Sequence, residues 1–359
     1  MNWGSDRTAT RRFDDGLGVR WLEADDREGG IIEVLEVSPA LAVQDGFEAA
    51  IHARATRLAD LGIEGLALVH RVERSGSALR VVAEHVEGLR LPDLLQEAIK
   101  GNIPLPQPAA LELAGRVLRI VATLHRVPGM SHGAITPSHV VITRTGGVVL
   151  TDAVFGPALE AMQRNREQLW REFRLALPAS ASLPRFDQRA DVAQLGATVL
   201  AVALGRSLRE GEYPRAINEV VIAATLAARP GETGTSTSAL RMWLQESLYL
   251  HPRAIFASAL DAEQAYAEVL GPAAARRGGA AAFETAVHCI FGDTPASVEA
   301  AQVAAAWSSP SPVPLVGPAD VKPVVPAGPP PDHVPAPARG EPRPLSSLFR
   351  NVFSTLRAS

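Results

Sequence analysis

Two spacings of apolar residues run along the first part of the chain and predict a mixed fold of strands and helices. Residues 30–37 (GIIEVLEV) and 78–86 (ALRVVAEHV) are short, apolar and β-branched, which is typical of strands. Residues 46–61 lie between them and are predicted to form a helix. The apolar face of that helix consists of Phe47, Ile51, Ala55, Leu58 and Leu61.

Helical spacing returns at residues 156–178, where charged residues lie mostly opposite the apolar ones. One stable amphipathic helix is predicted there. Its apolar face consists of Leu159, Met162, Leu169, Trp170, Phe173 and Leu177. The longest uncharged apolar run, residues 195–204, is too short to span a bilayer.

The composition shifts to alanine, glycine and then proline after residue 269. Residues 273–279 (AAARRGG) are predicted to be a break, followed by two segments with helical potential, so that 273–307 form an alanine-rich helical extension. Residues 308–344 show no hydrophobic periodicity. Because such a segment cannot bury enough apolar surface to order itself, we predict a proline-rich, extended linker.

The final residues, 345–357, differ from the linker because their apolar side chains recur at helical spacing. A helix of about a dozen residues is marginal alone in water, so it needs a surface to pack against. Three surfaces could serve: the folded part of this chain, a partner protein, or an anionic membrane. The apolar stripe consists of Leu345, Leu348, Phe349, Val352, Phe353 and Leu356.

Composition narrows the class of protein. At 359 residues, with 47% hydrophobic and 21% charged residues, the chain has the make-up of a globular protein. Its net charge of −4 gives no electrostatic reason to expect nucleic acid. Its single cysteine, Cys289, cannot form an internal disulfide. The first fifteen residues lack an apolar core, so no signal peptide is predicted and the cytoplasm is the expected compartment.

The most specific motif lies in residues 124–156 (LHRVPGMSHGAITPSHVVITRTGGVVLTDAVFG). It resembles the active-site region of serine/threonine protein kinases, above all the bacterial ones. In that family the stretch runs LH, a short loop, H-[RG]-D-x-K-P-x-N, a strand, a turn, a second strand and D-F-G. His132, Gly133 and Pro137 occupy matching positions.

Most residues that carry the chemistry of that family are missing from the motif. Ala134 stands at the catalytic Asp, Thr136 at the phosphate-contacting Lys and His139 at the metal-binding Asn. Asp152, a metal-binding position in the family, remains. A positioned general base contributes on the order of 10²–10⁴ in rate, which alanine cannot supply.

The charged pair of the kinase small lobe is missing as well. Lys100 and Lys322 are the only lysines, so the strand lysine that holds the nucleotide phosphates has no equivalent in its usual place. The resemblance puts Leu35 or a neighbour at that lysine, and Arg54 near the glutamate that pairs with it. Loss of both partners indicates a changed site.

The resemblance extends to the hinge between the two lobes. Residues 78–88 would form the fifth strand of the small lobe and the hinge that follows it. Backbone groups of Glu84 and Val86 would face an adenine if a nucleotide bound, and Ala83 would border the pocket behind it. These are the candidate nucleotide-binding residues.

Two further landmarks lie in the region that resembles the large lobe. Residues 191–206 resemble its buried helix, in which the family's Asp bonds backbone amides of the catalytic loop. We therefore expect Asp191, together with His132, to be structural. An active kinase keeps the segment equivalent to 156–178 extended for peptide docking, and a helix there would block that surface.

Together these matches predict an α+β, two-lobed fold like that of protein kinases. Residues 12–88 would form a small β-rich lobe with the hinge, and residues 89–272 a larger helical lobe. The extension, the linker and the terminal helix would follow.

The expected function is that of a pseudokinase, a non-catalytic binding or scaffold module. A weak or atypical ATP-dependent kinase and a nucleotide-binding sensor are the alternatives. No cofactor is expected, although Asp152 leaves room for weak binding of ATP with Mg²⁺. A protein partner is expected to bind the kinase-like domain and residues 345–357, with peripheral attachment to a membrane surface through 345–357 as the alternative.

The terminal stripe gives a direct test of recruitment. Replacing Leu348, Phe349 and Val352 together with serine should abolish association with the partner or membrane, since each buried apolar side chain contributes about 1.5–3 kcal/mol. Co-precipitation or vesicle sedimentation measures this loss, and the melting temperature of the folded domain should not change. Scrambling residues 308–344 at constant composition is the control and should have little effect. A triple variant with a lowered melting temperature would instead place the helix on the chain's own domain.

Overall fold

The computed structural model of the chain describes residues 13–24, 30–103, 105–180, 182–226, 234–251 and 255–292. The predicted linker, the terminal helix and the second half of the alanine-rich extension lie outside these residues.

The small lobe is built on an antiparallel sheet. Five strands within the described ranges pair in the order β1-β2-β3-β5-β4. The strands predicted over 30–37 and 78–86 are confirmed as β3 and β5. The bounds are Phe13–Asp14 (β1), Gly18–Ala24 (β2), Ile31–Val37 (β3), Val69–Ser75 (β4) and Ala78–Glu84 (β5).

The register of this sheet decides which side chains meet in the cleft. Arg20 on β2 lies directly opposite Leu35 on β3. Glu33, two residues earlier on β3, lies opposite Ala83 on β5. Because side chains two residues apart share a sheet face, Glu33 and Leu35 lie on the same face.

Helices α1 (Pro39–Ala42) and α2 (Phe47–Ala59) complete the small lobe. The helix predicted over 46–61 is thereby confirmed. Its apolar face buries Phe47 and Ile51, and Arg54 is buried on the same helix. A buried arginine on an apolar face needs acceptors, and these come from the large lobe.

The large lobe is mostly helical and carries a small sheet in the order β6-β7-β8. None of the helices in the described ranges is both long and apolar enough to cross a membrane. The strands are Leu89–Arg90 (β6), Val140–Ile142 (β7) and Val148–Leu150 (β8). The helices are Leu91–Lys100 (α3), Gln107–His125 (α4), Gly156–Ala161 (α5), Arg166–Phe173 (α6), Gln188–Leu204 (α7), Ile217–Leu226 (α8), Gly234–Ser247 (α9), Ala259–Leu270 (α10) and Ala273–Ile290 (α11). The predicted two-lobed α+β fold is confirmed.

The predicted single helix over 156–178 is wrong, because two short helices, α5 and α6, replace it. Gln163 adopts a left-handed conformation with φ 53°, which ends the first helix. Asn165 then starts the second helix by accepting a hydrogen bond from the Gln168 N–H, and the Gln168 side-chain oxygen accepts one from the Asn165 N–H. The apolar residues keep their helical spacing across this interruption. The spacing therefore could not reveal the break between α5 and α6.

The break predicted at 273–279 is also wrong. Helix α11 runs without interruption from Ala273 to Ile290. It packs on α4 at Gly279, where an added Cβ would lie 3.0 Å from the Pro108 carbonyl oxygen. The glycine lets two helices approach closely and does not end the helix.

One apolar cluster joins the two lobes. It contains Leu17 of the β1–β2 turn and Phe47 of α2, together with Phe155 and Phe173 of the large lobe. The Phe47 and Phe155 ring centroids are 6.4 Å apart. At the turn itself, a Cβ on Gly16 would lie 2.3 Å from the main-chain oxygen of Glu172 in α6. The turn of the small lobe is therefore closed against a helix of the large lobe.

This contact predicts a difference between two glycine variants. Gly16 and Gly76 both have positive φ, 87° and 61°, but a Cβ on Gly76 would meet nothing within 4 Å. Gly76→Ala should cost about 1–2 kcal/mol for its left-handed backbone. Gly16→Ala should cost about 1–3 kcal/mol more than Gly76→Ala, because its methyl group overlaps α6. Urea unfolding measures both, and equal losses would contradict the closed turn.

Candidate functional site

Side chains of α7 hold the loop at residues 131–139 in place. Asp191 accepts hydrogen bonds from the N–H groups of His132 (2.5 Å) and Gly133 (2.7 Å), and it contacts His125 Nε2 at 2.8 Å. His125 Nδ1 accepts a hydrogen bond from the Ala259 N–H. His125 Nε2 therefore carries the hydrogen and donates it in a hydrogen bond to Asp191. These bonds fix the loop backbone without any contribution from the residue at position 134.

The main chain of the same loop packs directly against the main chain at the start of α5. Gly133 has φ 77°, and a Cβ on it would lie 2.5 Å from the Cα of Gly156. Gln194 of α7 completes the support by accepting the Ile135 N–H at 2.7 Å and donating to the Gly133 carbonyl at 3.3 Å.

Three candidate positions within the loop offer no general base. Ala134 and Thr136 are buried. His132 is also buried, and its Nδ1 accepts from the Ala134 N–H at 3.3 Å. Burial lowers the pKa of His132 to about 4, which makes its imidazole a weak proton acceptor at pH 7.

Arg20 lies at the centre of the cleft and contacts three carboxylates. Its Nε is 2.8 Å from Asp15 Oδ2, its Nη1 is 3.0 Å from Glu33 Oε1, and its Nη2 is 2.9 Å from Asp152 Oδ1. Only 2% of Arg20 is exposed. The turn before β2, strand β3 and the segment after β8 therefore meet at one guanidinium group.

Arg90 extends this network toward the hinge. Its Nη2 donates to both carboxylate oxygens of Glu33, at 2.7 and 2.9 Å. Its Nη1 donates to the Ser138 carbonyl at 2.6 Å. The two arginines and Glu33 thus connect β2, β3 and β6 to the loop.

His139 faces the same carboxylates from the loop. Its Nδ1 lies 2.6 Å from the Ala134 carbonyl oxygen, and its Nε2 lies 3.3 Å from Asp15 Oδ2 and 3.8 Å from Asp152 Oδ2. The Thr151 hydroxyl donates to Asp152 Oδ2 at 2.6 Å. The sequence analysis treated His139 as a lost metal ligand and Asp152 as a possible one, and the structure brings these two residues together.

The charges keep both aspartates ionised. Burial alone would raise the pKa of Asp152 and of Asp15, but the charges of Arg20 and then His139 outweigh it and hold both pKa values below the usual range. The same carboxylates raise the pKa of Arg20 despite its burial. The site therefore consists of ion pairs at neutral pH.

Arg54 ties α2 to the loop from the other side. Its Nε donates to the Ala153 carbonyl at 3.2 Å, its Nη1 to Met130 Sδ at 3.0 Å, and its Nη2 to the Ser131 carbonyl. Burial lowers the pKa of Arg54 to about 10, which leaves the group charged at neutral pH. An arginine that binds carbonyl groups thus occupies the helix position where the resemblance implied a glutamate.

The candidate nucleotide-binding residues lie at the end of β5. The Glu84 N–H donates to the Leu68 carbonyl at 2.9 Å, and the Glu84 carboxylate accepts the Leu68 N–H at 3.0 Å. Ala83 lies opposite Glu33, and Val86 is half-buried beyond the strand. The Glu84 N–H is thus already hydrogen-bonded within the chain, and the Glu84 carboxylate lies beside the hinge. The six candidate interaction residues of the terminal stripe lie outside the described residues.

Sequence reasoning missed Arg20, Asp15, Glu33 and Arg90. A signal was present in the alternation of β2, where Val19 is exposed and Arg20 falls on the inward face with Gly18. An arginine at an inward position of a strand requires buried acceptors. Its partners are distant in sequence, so the alternation alone did not identify them.

The charges of the cleft disfavour a nucleotide with its metal ions. Asp15 brings a negative charge to the turn, where phosphate groups would meet repulsion. Arg20, which could attract phosphate, already contacts Asp152 Oδ1. The site is arranged to pair its own charges.

Comparison with known proteins identifies the fold. The chain matches no family model and no curated protein sequence. Among solved structures, the PknI kinase domain of Mycobacterium tuberculosis is 20% identical with a TM-score of 0.52, over 73% of this chain and 94% of that one. The maize SIRK1 kinase domain, solved with AMP-PNP, is 15% identical with a TM-score of 0.54, over 75% of this chain and 97% of that one. These similarities show that the chain has a protein kinase fold.

The buried network predicts that Arg20 is far more important for stability than an exposed arginine. Arg20→Met leaves buried carboxylates without their cation and should lower the free energy of unfolding by about 3–5 kcal/mol. Arg71→Met is the control, because Arg71 contacts Glu73 near the surface and should cost about 0–1 kcal/mol. Denaturant titration measures both losses, and similar values for the two variants would disprove the central role of Arg20.

Proposed function

We propose that the chain is a pseudokinase, a binding module with a kinase fold that does not transfer phosphate. The observation that carries this proposal is the pairing of Asp152 with Arg20 inside the cleft. Asp152 is the one polar residue retained from the family's phosphotransfer set, and a group of this chain occupies one of its oxygens.

The chemistry around the loop supports the same proposal. Ala134 cannot accept a proton from a substrate hydroxyl. His132, two residues away, is buried and bonded to the backbone, so it does not replace the base. The charge stabilisation supplied by two metal ions in a kinase also loses one ligand, because His139 stands at the asparagine position.

The position of α6 supports a non-catalytic role at the surface. In the family, the segment after Asp152 is extended and receives the peptide. Here α6 packs against the β1–β2 turn, and Phe173 belongs to the apolar cluster that joins the lobes. The proposed binding surfaces are therefore the outside of the closed domain and residues 345–357, which would recruit a protein partner.

A nucleotide-binding sensor is the second candidate function. Arg20 stands opposite Leu35 and thus brings a cation to the region where the family uses a lysine. In this alternative, phosphate groups would replace the carboxylates around Arg20. An ATP titration separates the two functions.

The pseudokinase proposal predicts no response to nucleotide. The melting temperature of the purified chain should not change with ATP, alone or with Mg²⁺ or Mn²⁺, whereas binding at 100 times Kd would add about 2.7 kcal/mol to stability. Radiolabelled ATP should not label the chain or generic acceptors. Ala134→Asp alone should not restore transfer, because the strand lysine and the loop asparagine remain absent.

The control for the labelling experiment is Asp152→Ala. Label that appears with the wild-type chain, and disappears both with this variant and in a mock preparation, would overturn the proposal in favour of an enzyme. A melting-temperature increase with ATP but no labelling would favour the sensor.

A further inference from the structure

A cavity of about 760 Å³ lies in the large lobe between α3, α4, α7, α8 and α9. Small-molecule sites in proteins have volumes of about 300–1,000 Å³, so the cavity is of suitable size for a ligand. Ile99 of α3 borders it and is 68% exposed, which leaves apolar surface open to solvent. None of the described lining residues belongs to the charged network around Arg20. The apolar lining includes Leu95, Ala98, Ala110, Ala114, Val202 and Leu240.

Two threonines interrupt the apolar wall of this cavity, one on α8 and one on α9. Thr225 of α8 is buried, and its hydroxyl donates to the Val221 carbonyl at 2.8 Å. Thr237 of α9 is only 8% exposed, and its Oγ1 has no hydrogen-bond partner among the described residues. Buried hydroxyl groups are nearly always hydrogen-bonded. The Thr237 hydroxyl is therefore a candidate contact for a polar group of a ligand.

Thr225 also holds a cation at this wall. Its Oγ1 accepts a hydrogen bond from Arg241 Nε at 2.9 Å. Arg241 is half-buried, and within the described ranges it forms no ion pair with a carboxylate. Thr237 and Arg241 lie four residues apart on α9, and side chains at that spacing are neighbours on one helix face. A hydroxyl without a partner and a guanidinium without a counter-ion thus lie close together at the edge of an apolar cavity.

We propose that this cavity binds a long-chain fatty acid, with its alkyl chain among the apolar side chains and its carboxylate between Thr237 and Arg241. One carboxylate oxygen would accept a hydrogen bond from the Thr237 hydroxyl, and the other would accept one from the guanidinium. A single cation matches a single negative charge, and the apolar wall matches an alkyl chain. The inference goes beyond the proposed function and does not depend on it, because a fatty acid in the large lobe is compatible with either candidate.

The test uses the delipidated, full-length chain and free fatty acids below their critical micelle concentrations. Calorimetry with laurate should show one saturable site per chain, and the melting temperature should rise as laurate fills it. Decanoate should bind more weakly than laurate, by about fourfold for each missing methylene group, because less apolar surface is buried. Absence of saturable laurate binding overturns the proposal, and so does an affinity that is the same for both chain lengths.

Two ligands with the same alkyl chain as laurate test recognition of the carboxylate. Dodecanol lacks the charge, and dodecylammonium reverses it. Each should bind more weakly than laurate by a factor of about ten or more, because the hydrogen bonds to a charged group are lost. Equal binding of all three ligands would show adsorption to an apolar surface without recognition of the carboxylate, and it would overturn the proposal.

Variants locate the site. Arg241→Met and Thr237→Val should each weaken laurate binding by about tenfold. Arg171→Met and Thr123→Val are the matched controls, since both side chains are exposed and lie outside the cavity lining, and they should leave the affinity unchanged. Unchanged affinity in the two cavity variants, or an equal loss in the controls, places laurate elsewhere and overturns the proposal. If a variant fails to fold, the comparison of laurate with dodecanol on the wild-type chain still tests the carboxylate contact.

Discussion

The buried guanidinium of Arg20 is the constraint on which the arrangement of the cleft depends. A charge removed from water is tolerated only where paired groups surround it. Asp15, Glu33 and Asp152 supply those groups from three separate segments. Each segment must keep its place for the others to be satisfied, so one side chain determines the relative positions of a turn, a sheet and a loop.

The support of the loop is independent of the chemistry that such a loop performs in active kinases. Asp191 and Gln194 bind main-chain groups of residues 132, 133 and 135, and none of these bonds depends on the side chain at position 134. Side chains that face the cleft can therefore change while the backbone keeps its course. This explains how a kinase fold can persist with Ala134 at the position where the resemblance implies the catalytic Asp.

Local patterns could be predicted from the sequence, and long-range charge pairing could not. Strands β3 and β5 and helix α2 follow from the period of neighbouring residues. The division between α5 and α6 escaped prediction because Asn165 starts a new helix without disturbing the apolar spacing. Arg20 escaped it because an arginine in a strand is usually solvated, and its partner Asp152 lies 132 positions away. The resemblance to kinases indicated that Asp152 mattered, but only the fold revealed what it contacts.

Arg54 bears on how the molecule moves. Its three donor groups reach carbonyl and sulfur acceptors of the opposite lobe, and 5% of the residue is exposed. Swinging α2 away from the loop would break all three contacts and would expose the apolar cluster that joins the lobes. We therefore expect opening of the lobes to be costly, so that amide exchange should show similar protection for α2 and for the loop at residues 131–139.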